Sequence, residues 1–256
     1  MHEYFLTWFM VFIRAGAMLS IFPIFSAAAM PARLRIALAG FLAMLTLPGV
    51  SLPEGFFDSD LAQFVGLIIK EVCFGLLLGF VCRLILFAMA LAGHYIGAEL
   101  GLQLGSLIAP GESTPSSTPS VILQMMMIML MFSLDIHFEL LMGFQQSYQV
   151  LTIGSGGLSN ALFDEVTVLC ARTFSVALRI AAPLIAVSIV VNMLMMVLGR
   201  TIPEVNVFIM SFSIKILVGV FLFGFTLSLT AREITNYLHQ LPNDFVVITR
   251  LLAGGG

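Results

Sequence analysis

Hydrophobic positions fill this chain in long runs, and polar positions gather in short breaks between them. Apolar stretches cover residues 4–29, 36–50, 61–92, 121–134, 166–198 and 206–229. Runs of this length with few charges predict membrane helices, because a span takes about 20 apolar residues. The stretch 36–50 is short for a span. The stretch 61–92 is long: as straight helix it reaches about 48 Å against a hydrocarbon core of about 30 Å, so it must bend, tilt or protrude. Gly75 and Gly79, four positions apart inside it, allow either a kink or a close contact with another helix. The pattern predicts an all-α membrane protein of about six hydrophobic segments in a single embedded domain, 1–256.

The breaks carry as much information as the runs. The longest is Gly97–Leu123, where Gly97, Gly101 and Gly105 run into a tract of Ser, Thr, Pro and Gly that cannot continue a helix and has no apolar face. Helices flank this loop on both sides, and unpaired backbone is not tolerated against lipid, which predicts a re-entrant or protein-lined segment. A second polar break covers 150–165, and a tight turn follows at Gly199–Glu204. From 231 to 256 the chain becomes amphipathic, with Ile234, Tyr237, Leu238 and Leu241 at helical spacing among Arg232, Glu233 and Asp244. This tail is expected to lie against a partner or the membrane interface. No function attaches to the terminal Gly254–Gly256.

Composition confirms the membrane class and removes others. Of 256 residues 60% are hydrophobic and 10% charged, with mean hydropathy +1.08; a soluble domain carries about 25% charge. The net charge of −3, with no basic block, carries no nucleic-acid signal. Cys73, Cys82 and Cys170 lie apart in apolar runs and read as small core hydrophobes, and no cofactor or metal site is indicated. Ala27–Ala29 superficially resemble a signal cleavage site, but Glu3 and an overlong run containing Arg14 argue for a retained first helix of residues 4–29. Taking Arg33 and Arg35 as cytoplasmic puts the amino terminus and the acidic loop Glu54, Asp58, Asp60 on the outer side.

Seven cations and carboxylates fall inside apolar runs: Arg14, Lys70, Glu71, Arg83, Arg172, Arg179 and Lys215. Each unpaired charge at a helix centre costs about 2.5–3.5 kcal/mol on insertion scales. Neighbours on a helix do not face each other, so Lys70 and Glu71 each need another partner. Glu71 and Glu99 are too few acceptors for the cations, which predicts contacts to other subunits or to a wet cavity, with Arg200 added at the turn. The methionines Met125, Met126, Met127, Met129 and Met131 are either core filler or a deformable pore lining. Asp135 and Glu139 are expected on one helix face with His137 off it, a polar helix end rather than a metal site.

Read in order, Ala92-Gly93-x-x-Ile96-Gly97-x-Glu99-x-Gly101, the Pro110 region, Asp135-x-His137-Phe-Glu-Leu-Leu, Ser147-Tyr148, Ala182-Pro183 and Arg200-x-x-Pro203-x-x-Asn206-Val-Phe208 to Lys215-Ile-x-x-Gly219 resemble the R-subunit family of the bacterial flagellar type III export gate. Related subunits serve virulence type III secretion. The resemblance covers nearly the whole chain. It implies kinked helical hairpins raised out of the membrane plane toward the periplasm, in the inner membrane at the flagellar basal body. The implied partners are the P and Q subunits, the B-type switch subunit, the proximal rod and the exported unfolded proteins, besides membrane lipid. It also implies a pore plug in the loop, here Gly101, Leu102, Gln103, Leu104, Gly105, Leu107, Ile108 and Pro110, with Gly97, Gly101 and Gly105 as hinges. Glu99 and Glu204 stand where Gln is usual, and Ser211 and Ser213 replace a Gly and a Pro. No aromatic residue occurs between Tyr95 and Phe132, so a seal here would be aliphatic. Competing readings are a secondary transporter of a small solute, which expects an internal repeat the chain lacks, and an intramembrane enzyme, for which no nucleophile–base pairing is recognisable.

Overall fold

The computed structural model describes residues 2–23, 25, 30–50, 61–102, 117–201 and 207–254. Those residues form seven α-helices: α1 (His2–Ile21), α2 (Ala32–Thr46), α3 (Leu61–Glu99), α4 (Thr118–Ser133), α5 (Ile136–Val150), α6 (Asn160–Thr201) and α7 (Val207–Leu252). A short 3-10 turn, Leu47–Gly49, carries α2 to Pro48. Five helices are long and apolar enough to cross a membrane, or six if α4 and α5 count as one broken span. The protein is an all-α membrane protein.

Helix boundaries follow local chemistry, and several differ from the sequence expectation. Helix α1 stops at Ile21 rather than at 29, because the Pro23 ring disfavours helical backbone at the residue before it. Helix α3 runs seven residues past 92, through Gly93 and Gly97, to Glu99, so the Gly-rich start of the expected loop is helical. At the other end Thr118–Leu123 belongs to α4, with Pro119 in its first turn, where a missing N–H goes unnoticed. Helix α6 begins at Asn160, shortening the second polar break to 151–159. The amphipathic tail is the continuation of α7, which is 46 residues long with Pro242 inside.

Asp135 and Glu139 do not share a helix. Asp135 adopts left-handed backbone (φ 56°) and separates α4 from α5, a conformation Asp tolerates better than most residues.

The chain divides into two compact units. The first draws on Met1–Leu84, Met131–Cys170 and Leu238–Gly256. In it α1 crosses α3 at very short range. A Cβ at Gly75 would overlap the Arg14 carbonyl and come within 2.8 Å of the Ala17 Cβ, and one at Gly79 would come within 2.7 Å of the Met18 carbonyl. The pair of glycines therefore serves helix contact. Helix α2 returns beside α1, where the Trp8 indole N–H donates to the Gly40 carbonyl at 3.3 Å. The end of α7 packs into this unit with Leu238, Leu241, Phe245, Ile248 and Leu252 buried, so the apolar face of the tail is covered by its own chain.

The second unit draws on Ile85–Leu130 and Ala171–Tyr237. Its α6 and α7 segments form an antiparallel hairpin in which Thr173 and Tyr237 hydroxyls lie 3.2 Å apart. Leu100, at the end of α3, packs so tightly on Gly219 of α7 that a Cβ there would overlap its side chain.

Candidate functional site

Two polar centres stand out against this apolar background, one in each unit. In the first unit, Arg14 of α1 and Glu71 of α3 are both fully buried. The Arg14 Nε and Nη2 donate to the two Glu71 carboxylate oxygens at 2.5 and 2.9 Å, a fork-on-fork pair. Its Nη1 donates to the Leu151 carbonyl at 3.1 Å, and its guanidinium carbon lies 4.0 Å from the Tyr148 ring centre. Glu71 Oε1 also accepts the Gly154 N–H at 3.3 Å, while the exposed Lys70 donates to the Gly154 carbonyl at 3.4 Å.

These bonds fold the segment after α5 onto α1 and α3. Gly154 (φ 77°) and Gly156 (φ 83°) give it the left-handed turns that a side chain would strain. The Gly157 N–H donates to the Leu252 carbonyl, adding the end of α7. Buried charge is expensive unless every donor is matched. Here the matching comes from within the chain, so Arg14 and Glu71 leave the group expected to reach other subunits.

In the second unit, the long loop is rooted at both ends. The Leu102 N–H bonds the Gly97 carbonyl and the Gly101 N–H bonds the Ala98 carbonyl, with Gly101 left-handed at φ 71°. This is a Schellman cap, which ends α3 and satisfies its last carbonyls. Gly97 is thus a buried helical residue, and Gly101 turns the chain. On return, the Ser117 hydroxyl donates to the Gly93 carbonyl at 2.9 Å. A Cβ on Gly93 would overlap the Ser120 backbone, so α3 and α4 touch main chain to main chain. Gln103, Leu104, Gly105, Leu107, Ile108 and Pro110 lie outside the described residues.

The remaining predicted residues divide by environment. Glu99 is half-buried and accepts the Ser188 hydroxyl at 2.7 Å. Ser188 lines a small recess with Leu100, Lys215, Val191, Gly219 and Leu222, and Lys215 is half-buried. Arg172 lies 5.2 Å from the Tyr237 ring centre, and Arg83 is half-buried and engaged. Arg179 and Arg200 are exposed. The methionines split by face: Met127 and Met131 are fully buried, Met126 is intermediate, and Met125 and Met129 are exposed at 57% and 73%. His137 sits between the Phe132 and Phe138 rings, at 4.9 and 4.2 Å. Among the described residues no group of three His, Cys, Asp or Glu is placed to hold a metal.

Sequence reasoning missed the partners rather than the charges. Leu151, Gly154, Tyr148, Ser188 and Tyr237 carry no local signal of their roles. Each acts through a carbonyl, an N–H, a hydroxyl or a ring face brought in from far along the chain.

The chain matches the family described as "Bacterial export proteins, family 1" over residues 5–241. It is 28% identical over 236 residues to the "Flagellar biosynthetic protein FliR" of Caulobacter vibrioides, covering 92% of this chain and 94% of that one. Proteins of the same name from Bacillus subtilis and Escherichia coli are each 26% identical, over 82% and 96% of this chain and 82% and 98% of their own lengths.

Proposed function

We propose, because this chain belongs to the bacterial export proteins, family 1, that it is a membrane-embedded component of the flagellar type III protein export gate. The observation that carries this reading is the family match over nearly the whole length, joined to three curated relatives that bear a flagellar biosynthetic name and each match over at least 82% of both chains. The chain is a structural part of the gate rather than an enzyme. It contributes helices to a closed passage for unfolded flagellar proteins across the inner membrane. Its partners in this reading are the P and Q subunits, the B-type switch subunit, the proximal rod and the passing substrates.

The loop between Leu102 and Ser117 is the plug of that passage. Support comes from its roots: the Gly101 cap and the Ser117–Gly93 bond fix both ends of the segment. In this reading the aliphatic positions Leu102, Leu104, Leu107 and Ile108 exclude water and ions, and the Ser/Pro tract after them is only their tether. The surface charges Arg179 and Arg200 are left for neighbouring groups.

Co-purification of a tagged chain tests the first reading: the other gate subunits should come with it, and a null strain complemented by it should regain motility. Absence of both overturns the assignment. Deleting Ser106–Ser116, which spares the Ser117 anchor, should leave the complex assembled and raise ion leakage across the membrane. Unchanged leakage in an assembled complex refutes the plug.

A further inference from the structure

The second unit carries a band of apolar surface whose height is set by three arginines. On α6, residues 180–199 are 20 consecutive uncharged positions between Arg179 and Arg200, about 30 Å at about 1.5 Å per residue. Both arginines are exposed. Within this stretch α6 buries one narrow stripe, including Ile180, Leu184, Ser188, Val191 and Met195, and leaves the rest of its circumference open. The open face is apolar apart from the exposed Asn192, with Val190 54% and Met193 62% exposed.

Helix α7 repeats the arrangement independently. From the Thr173–Tyr237 hydroxyl contact, Arg179 is six residues along α6 and Arg232 is five residues back along α7. At about 1.5 Å per residue the two exposed arginines therefore stand within a few ångströms of the same level. Beyond that level α7 shows Phe221 at 77% and Phe225 at 73% exposure, and only 11% of its span window is buried, against 56% for α3. The one charge within the band is Lys215, which lines the recess beside Ser188.

We infer that the α6–α7 hairpin of the second unit, between the level of Arg179 and Arg232 and that of Arg200, is a lipid-facing surface of the chain in the complete gate. Acyl chains cover the open faces, and the three guanidinium groups reach headgroup phosphates at the two rims. An uncharged height of about 30 Å is the thickness of a hydrocarbon core. A partner outside the membrane would impose no such limit, whereas a bilayer excludes charge over that depth and holds cations at its edges. Guanidinium and phosphate are also suited to each other in geometry and charge.

This inference rests on the chain being part of a membrane-embedded gate. The experiment uses the assembled complex in vesicles of phosphatidylcholine and phosphatidylglycerol, with Cys73, Cys82 and Cys170 replaced by Ala. Single nitroxide labels are placed at Leu178, Ala182, Ala186, Val190, Met193, Val197 and Phe221. Collision with oxygen relative to a water-soluble nickel complex should peak near Val190 and at Phe221, and fall toward Leu178. Arg179→Leu should move the maximum toward Leu178, whereas Arg179→Lys should not. Uniformly low oxygen collision means a protein partner covers the face, and high nickel collision means water does; either overturns the inference. Such a profile from a complex that still exports leaves the proposed function standing. A correct lipid profile in a chain that fails to restore export has the reverse meaning.

Discussion

Removing Glu71 tests how the first unit is held together. Glu71→Ala deletes both carboxylate oxygens and leaves the Arg14 guanidinium at zero exposure with the Leu151 carbonyl and the Tyr148 ring as its remaining company. An exposed pair would be worth about 0–1 kcal/mol. A buried charge deprived of its partner costs about 3–5 kcal/mol, because the group that remains cannot be resolvated. The burial here decides for the larger figure, which soluble-domain scaling converts to a fall of about 6–20 °C in thermal midpoint.

The double variant Arg14→Leu, Glu71→Leu separates loss of the pair from exposure of an orphan. Removing both charges lifts the orphan penalty and fills the site with apolar volume. It still leaves the Leu151 carbonyl and the Gly154 N–H without their side-chain partners, at about 1–3 kcal/mol for each group that stays dry. The double variant should therefore recover most but not all of the loss. Thermal unfolding of the purified complex, followed by size-exclusion chromatography, measures both variants. A fall below about 2 °C for Glu71→Ala, or a double variant no more stable than Glu71→Ala, refutes the reasoning.

Three further outcomes follow from local geometry. Gly75→Ala should sharply lower the thermal midpoint, since its Cβ meets the Arg14 carbonyl, while Gly224→Ala, with nothing within 4 Å, should raise stability by about 0.5–1 kcal/mol as a helix-propensity gain; equal effects would contradict the packing described. Gly93→Ala should push the start of α4 away from α3 and loosen the neck of the loop, read as new protease cleavage between 103 and 116 in the assembled complex, with Ser117→Ala giving a milder version. Tyr237→Phe removes the Thr173 hydrogen bond but keeps the ring beside Arg172, so it should cost about 0.5–1.5 kcal/mol, and Tyr237→Leu more; the order is checked by chemical denaturation.

The sequence made the spans legible because an apolar run of the right length has few other uses, and it made the apolar face of the tail legible because Ile234, Leu238 and Leu241 repeat at helical spacing. What covers that face was not legible, since the face of an amphipathic helix looks the same whether the partner is its own chain or another. Helix ends went wrong where the breaker was misplaced. Gly97 and Gly101 look equivalent in the sequence, yet Gly101 has the left-handed backbone that closes α3, and Gly97 supplies the carbonyl that the closure satisfies.

The charges show the limit most clearly. Counting carboxylates against cations treats only carboxylates as acceptors, whereas Arg14 takes a main-chain carbonyl and a ring face besides Glu71, Lys70 takes the Gly154 carbonyl, and Arg172 takes the face of Tyr237. Backbone carbonyls and aromatic faces leave no mark in a residue count, and the carbonyl that Arg14 takes lies 137 residues away. Once those cations are answered, Arg179 and Arg200 remain on the surface, separated by an uncharged stretch as long as a bilayer core is thick. The charges left over by the fold are therefore the ones whose spacing carries information about the surroundings of the chain.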